Sequence, residues 1–154
     1  MISTMKKIIL ILSLLISTLS LAAPKPAELK YPVEFLFQKV LEKKRLIKND
    51  RIPFPKVFYA SHTPLAQFQD AIEEQWGFRP EAFTNAYSLS TNEVYILDEA
   101  KYYKDHGRCM DDSLVHELVH FVQVKYLEWE FDESLEWDAI EIQTEFRNEF
   151  CKIN

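Results

Sequence analysis

The 154-residue chain has room for one domain and not for a second of substantial size. Its residues are 47% hydrophobic and 14% aromatic, which supplies a core and argues against general disorder. The only two glycines, Gly77 and Gly107, exclude a glycine-rich phosphate loop, and the formal net charge of −6 disfavours a nucleic-acid partner.

The first 22 residues have the pattern of a signal peptide. Two lysines at positions 6 and 7 precede an apolar run over residues 8–19, which is short for a membrane span. Small residues at Ser20 and Ala22 predict cleavage after Ala22, with an uncleaved anchor helix as the alternative. We therefore expect a periplasmic or secreted protein with no stable membrane anchor after cleavage.

Export changes the interpretation of the two cysteines, Cys109 and Cys151. In an oxidising compartment an even pair predicts a disulfide. The bond would close a loop of about 43 residues and stabilise the fold by about 4 kcal/mol in a chain-entropy treatment. Zinc ligation by the thiols is the alternative, but neither cysteine has a Cys or His partner at the spacing of a zinc finger.

The first part of the mature chain predicts two helices and a strand. Residues 23–32 contain three prolines and predict an extended leader. An apolar stripe predicts a helix over 33–47, and a strand follows over 57–60. The next predicted helix covers 64–77, with Thr63 as its cap and Gly77 at its end.

The second part predicts two strands, a loop and two longer helices. Alternating apolar residues favour strands over 85–90 and 93–97, joined by a tight turn. A polar loop is predicted over 98–110. A helix over 111–126 follows, and a last helix runs from Asp132 or Ser134 to about residue 150. This order of elements predicts an α+β fold.

The helix over 111–126 carries the decisive motif, His116-Glu117-x-x-His120. On a helix, positions i and i+4 lie on one face, so both imidazoles can bind one metal ion. Glu117 projects to the side of that pair, where it can act as general base towards a metal-activated water. The spacing therefore predicts a zinc site with Zn²⁺ as cofactor and Glu117 as catalytic residue.

Zinc bound by two histidines needs a third protein ligand. No histidine follows His120, so a carboxylate of the last helix is the economical choice. Glu136 lies at the border of the apolar stripe of that helix, which favours it as the ligand. The other candidates are Glu133, Glu141 and Asp138.

The stretch from Asp111 to Glu149 resembles the gluzincin clan of zinc metallopeptidases, in which a glutamate of a downstream helix is the third ligand. The segment beginning at Glu136 is similar to the Glu-x-x-Ala-Asp ligand motif of that clan, with Ile140 in place of the aspartate. The aspartate orients a zinc histidine in thermolysin-like enzymes. The resemblance then implies that another group holds His116, with Asp112, Gln123 and Asp138 as candidates. The stretch also resembles small exported bacterial proteins with a VHELVHFxQ segment.

The resemblance implies a minimal zincin-like fold over residues 33–154. In such a fold a small antiparallel or mixed sheet packs on the site helix and the C-terminal ligand helix. A peptide or protein substrate would bind as an added strand along 85–90 or 93–97. The sequence does not assign a donor for the oxyanion of amide hydrolysis, for which the candidates are Tyr102, Tyr103, His106, Tyr126 and Arg147.

Three functions are compatible with this site. The leading hypothesis is a zinc-dependent peptidase that acts outside the cytoplasm, with zinc on His116, His120 and Glu136. A catalytically inactive, zinc-stabilised binding or structural protein on a peptidase-like scaffold is the second. The third is a hydrolase of a cell-wall amide, which uses the same zinc chemistry.

Overall fold

A computed structural model describes residues 23–152 of the chain. The predicted signal peptide over residues 1–22 lies outside the described residues. None of the helices in the described range is long and apolar enough to cross a membrane.

Helices and strands alternate irregularly, which confirms the α+β class. The helices are α1 (Val33–Lys44), α2 (Leu65–Trp76), α3 (Ala100–Asp105), α4 (Met110–Lys125) and α5 (Leu135–Phe150), and the strands are β1 (Lys56–Tyr59), β2 (Ala86–Ser88) and β3 (Glu93–Ile96). A single 3₁₀ turn, Ala60–His62, follows β1.

The three strands form one small mixed sheet in the order β1-β3-β2. β2 and β3 are antiparallel neighbours, joined by a tight turn in which Asn92 has a φ of 52°. β1 pairs with β3 in parallel, with Val57 opposite Val94. The parallel pair needs a crossover, and α2 supplies it.

Helix α4 runs through the middle of the molecule. α5 and α1 pack against it, and β2 and β3 also contact it. Its apolar side chains, among them Leu114, Leu118 and Phe121, are fully buried. A helix that is buried nearly all round fixes the positions of its polar side chains by packing, because close-packed neighbours leave few rotamers open.

Three local predictions need correction. α1 ends at Lys44, three residues early, because Arg45 adopts the left-handed conformation with a φ of 55°. α2 begins at Leu65 with Pro64 as its N-cap residue, and Thr63 makes no capping hydrogen bond. The segment 98–110, predicted as a loop, contains helix α3.

The disulfide and the leader fasten the ends of the domain to α4. Cys109 and Cys151 are bonded, with their Cα atoms 5.9 Å apart, which joins the start of α4 to the end of α5. The backbone N–H groups of Lys30 and Tyr31 donate to the buried carboxylate of Asp111 at 2.9–3.0 Å. Residues 23–32 contain no helix or ladder strand, one isolated bridge pairs Pro26 with Glu99, and the segment is anchored on α4.

Candidate metal centre

The motif histidines and Glu136 converge on one point between α4 and α5. The two Nε2 atoms of His116 and His120 lie 3.1 Å apart. The two carboxylate oxygens of Glu136 lie 3.2 Å from Nε2 of His116 and 3.1 Å from Nε2 of His120. The structure thus brings together the three residues that the sequence singled out as ligands, in a group that could hold a metal ion.

This spacing fits a tetrahedral metal ion. Ligand atoms 2.0–2.1 Å from such an ion are about 3.3–3.4 Å from one another. The two Nε2 atoms, 3.1 Å apart, would need to widen by only a few tenths of an ångström, and each has a different oxygen of Glu136 at 3.1–3.2 Å. Two imidazole nitrogens and a carboxylate are a donor set that zinc accepts.

A glutamine fixes the tautomer of His120. Nε2 of Gln123 donates to the Leu135 carbonyl at 3.0 Å and to Asp138 at 2.7 Å, so its Oε1 is the acceptor. That oxygen lies 2.9 Å from Nδ1 of His120, which must therefore carry a proton. In the neutral imidazole, Nε2 of His120 then presents a lone pair to the centre.

A second glutamine does the same for His116. Nε2 of Gln143 donates to Asp112 at 2.9 Å, and its Oε1 lies 3.2 Å from Nδ1 of His116. The sequence-based candidates for this role were wrong, because Asp112 reaches His116 only through Gln143, and Gln123 and Asp138 serve His120. Ile140 has an apolar side chain and takes no part in this support.

The two glutamines make the centre a site for a cation. With both Nδ1 atoms protonated, two lone pairs and a carboxylate face one another at about 3 Å. Such acceptors repel one another unless a proton or a metal ion lies between them. In the absence of a metal, a proton on Nε2 of His116 or His120 takes this place and is donated to Glu136, which holds the pKa of Glu136 far below its ordinary value.

Each of the two glutamines donates to a carboxylate that belongs to a buried or half-buried ion pair. Asp138 is paired with Lys44 of α1. Asp112, whose side chain is 0% exposed, accepts from Arg108 at 2.8 Å and from Arg147 at 3.0 Å. It also caps α4 by accepting from the backbone N–H of Cys109 at 3.1 Å. Asp112 therefore links the disulfide end of α4 to the ligand His116.

Glu117 lies beside the ligand pair and is 6% exposed. Burial raises the pKa of Glu117, and the nearby His116 and His120 offset only part of that rise. The backbone of Tyr87 in β2 also lowers the pKa of Glu117, without reversing the rise. A carboxyl group with a raised pKa next to a candidate metal centre is suited to accept a proton.

A polar cavity of about 210 Å³ opens next to this centre. His116 and Glu117 form one wall and the half-exposed Ile140 another. The remaining lining residues are Asn85, Arg108, Ser113 and Gln143. Arg108 and Asn85 were missed in the sequence, because neither belongs to a recognisable motif and the fold alone brings them here.

The donors considered for the oxyanion lie elsewhere. Tyr103 is buried and donates to the Leu97 carbonyl, and Tyr126 accepts from the backbone N–H of Asn49. Tyr102 and His106 contact each other, and Arg147 binds Asp112. None of these five lines the cavity. The alternative zinc ligands Glu133 and Glu141 are exposed.

Neither of the strands predicted to bind a peptide has a free edge. β3 is the central strand and has neighbours on both sides, so a peptide cannot add along 93–97. β2 is an edge strand, but Gln75 of α2 already pairs with that edge. Its amide donates to the Tyr87 carbonyl at 3.0 Å and accepts from the Leu89 N–H at 2.9 Å. A peptide would have to displace Gln75.

Comparison with known proteins adds no assignment: no family model matches the chain, and neither a curated protein nor a solved structure is significantly similar to it.

Proposed function

We propose that the protein is a zinc-dependent hydrolase, in the form of a peptidase that acts outside the cytoplasm. The observation that carries this proposal is the convergence of His116, His120 and Glu136 at 3.1–3.2 Å, with the buried carboxyl of Glu117 beside them. His116, His120 and Glu136 would hold the metal. When bound, zinc acts as a Lewis acid that polarises a carbonyl and lowers the pKa of a water to about 7.

Residues of the chain orient the proposed ligands and transfer the protons of the reaction. Gln123 and Gln143 hold the imidazoles in the tautomer that directs Nε2 to the centre. Glu117 accepts a proton from the attacking water as its oxygen bonds to the amide carbon. It returns that proton to the nitrogen as the carbon–nitrogen bond breaks. The raised pKa of Glu117 makes its carboxylate a stronger base for the first of these transfers.

Metal analysis and a peptide-cleavage assay test this proposal together. We expect the purified protein to hold one zinc ion per chain and to cleave peptides in a mixed-sequence library, read by mass spectrometry. Glu117→Gln keeps the size of the side chain and removes its base, so it should bind zinc normally and lose activity by at least about 100-fold. A wild type without stoichiometric zinc, or a fully active Glu117→Gln, would refute the proposal.

The matched control is Glu141→Gln, which makes the same chemical change at an exposed position of α5. It should retain both zinc and activity. Peptidoglycan fragments in the same assay identify a cell-wall amide as the substrate, if only they are cleaved.

A catalytically inactive, zinc-stabilised protein is the second candidate, and one observation favours it. The ligands come from both α4 and α5, so a bound ion would tie these helices together as a structural metal does. This function predicts a large loss of melting temperature on chelation and no turnover of any amide.

A further inference from the structure

The cavity beside the metal centre presents hydrogen-bond donors rather than acceptors. Oδ1 of Asn85 accepts from the backbone N–H of Leu97 at 2.7 Å, so its NH₂ group is the part left for a ligand. Arg108 uses Nε and Nη2 to bind Asp112 and Ser113, which leaves Nη1. The only acidic side chain in the lining is Glu117, which the proposed reaction already uses.

Arg108 belongs to a cluster behind the cavity that keeps a positive charge. Asp112 is one carboxylate shared by two guanidinium groups, those of Arg108 and Arg147, so the three groups together carry a net charge of +1. Within the lining itself, Arg108 is the basic side chain and Glu117 the acidic one. Only Arg108 of the two arginines lines the cavity. A guanidinium with donors to spare binds carboxylates particularly well.

The size and position of the cavity indicate which part of a substrate it would bind. A volume of about 210 Å³ holds roughly one amino-acid residue. Because His116 and Glu117 form one of its walls, whatever occupies the cavity lies next to the bond that the centre would attack. We infer that this cavity binds a carboxylate of the substrate residue adjacent to the hydrolysed bond, through Arg108 and Asn85.

This inference deepens the proposed function and rests on it for the position of the cleaved bond, although carboxylate binding itself needs no catalysis. The carboxylate has two sources, the free C-terminus of a peptide or the side chain of Asp or Glu. The first would restrict the enzyme to removing C-terminal residues, whereas the second would make it cleave next to acidic residues within a chain.

A binding experiment on the zinc-loaded protein tests the inference without turnover. The probes are N-acetylglycine, which carries a terminal carboxylate, and the α-amide of N-acetylglutamate, which carries a side-chain carboxylate. The α-amide of N-acetylglutamine is the neutral control. We expect one of the two carboxylates to bind about tenfold more tightly than the neutral control, as read by NMR titration.

Two arginine variants distinguish direct binding of the carboxylate by Arg108 from an indirect effect of Arg108 through Asp112. Arg108→Gln and Arg147→Gln each remove one partner of Asp112, but only the first changes the cavity. Arg108→Gln should weaken carboxylate binding by about tenfold or more, whereas Arg147→Gln should change it by less than about twofold. Equal losses in both variants would show that Arg108 only supports Asp112, and no loss in either would show that zinc alone binds the probe. Both results overturn the inference.

Asn85→Asp is a second variant for the case that Arg108→Gln does not fold. The new carboxylate still accepts from the Leu97 N–H and places a negative charge in the cavity, so it should also weaken binding by about tenfold. Binding unchanged in this variant contradicts the inference.

Peptide substrates distinguish failure of this inference from failure of the proposed function. Pairs that differ only in a free or amidated C-terminus, or in Glu or Gln next to the cleaved bond, should differ at least about tenfold in kcat/KM. Cleavage without any such preference overturns the inference and leaves the peptidase intact. Carboxylate binding that depends on Arg108, without any cleavage, supports the inference and refutes the peptidase.

Discussion

Replacing Gln123 by glutamate tests how the hydrogen bonds of Gln123 support His120. Two explanations of that support predict opposite effects on zinc binding. A carboxylate that accepts from a ligand histidine ordinarily makes the imidazole a better metal ligand. On that reasoning alone, Gln123→Glu should strengthen zinc binding. The structure predicts the reverse, because the amide of Gln123 also donates to the Leu135 carbonyl and to Asp138. Glutamate retains the acceptor for His120 and loses both donations.

The magnitude follows from the two acceptors left behind. A buried acceptor without its donor costs about 1–3 kcal/mol. The Leu135 carbonyl keeps its intrahelical donor in the first turn of α5, and Asp138 keeps Lys44 and is 31% exposed, so each acceptor bears only part of this cost. We expect the free energy of unfolding of the metal-free protein to fall by about 1–3 kcal/mol. Misorientation of His120 should weaken zinc binding by about 10–100-fold.

Urea unfolding of the metal-free protein and competition with a chromophoric chelator measure these two quantities. Gln75→Glu is the matched control, because Gln75 also donates and accepts through its amide but lies on α2, away from the metal ligands. It should lower stability and leave zinc affinity unchanged. Unchanged stability in Gln123→Glu, together with equal or tighter zinc binding, would refute the role assigned to the amide.

Three further changes have defined outcomes. Glu136→Gln should weaken zinc binding by more than about 100-fold in the chelator assay, because two neutral imidazoles remain as ligands, whereas Glu141→Gln should have no effect. Replacing Cys109 and Cys151 by serine should lower the free energy of unfolding by about 4 kcal/mol, and a loss below about 1 kcal/mol in urea would contradict the chain-entropy argument. Asp111→Asn leaves one acceptor for the two leader N–H groups, so the leader should become the first site of limited proteolysis, with a stability loss of about 1–2 kcal/mol. Wild-type resistance in that variant would show that the leader is held by other contacts.

The long helices could be predicted because their signals are local. α4 and α5 were placed within one to three residues, since the apolar spacing of Leu114, Leu118 and Phe121, or of Leu135 and Ile142, is a property of the segment itself. The motif histidines and the preferred Glu136 followed from the same spacing. The disulfide followed from there being only two cysteines.

The features that the sequence did not reveal depend on contacts between segments far apart in the chain. The parallel pairing of β1 with β3 joins residues almost forty positions apart, and no local pattern encodes it. The support of His116 by Gln143 spans 27 positions, and no local pattern indicates that these two side chains meet, so Gln143 was not among the candidates. Helix α3 lies in a stretch of Lys and Tyr with little apolar periodicity, and only the burial of Tyr103 explains why it forms.

The position of the disulfide has a consequence for the order in which the protein matures. Cys109 and Cys151 flank Asp112, at the point where the two ligand-bearing helices meet, and such a bond persists only in an oxidising compartment. A chain exported as we propose would therefore reach the cell envelope with its helices joined by weaker, reversible contacts alone. Oxidation would then fix α4 against α5, and with them the relative positions of His116, His120 and Glu136. If the protein is the hydrolase that we propose, its site would take its final form only after the chain has left the cytoplasm.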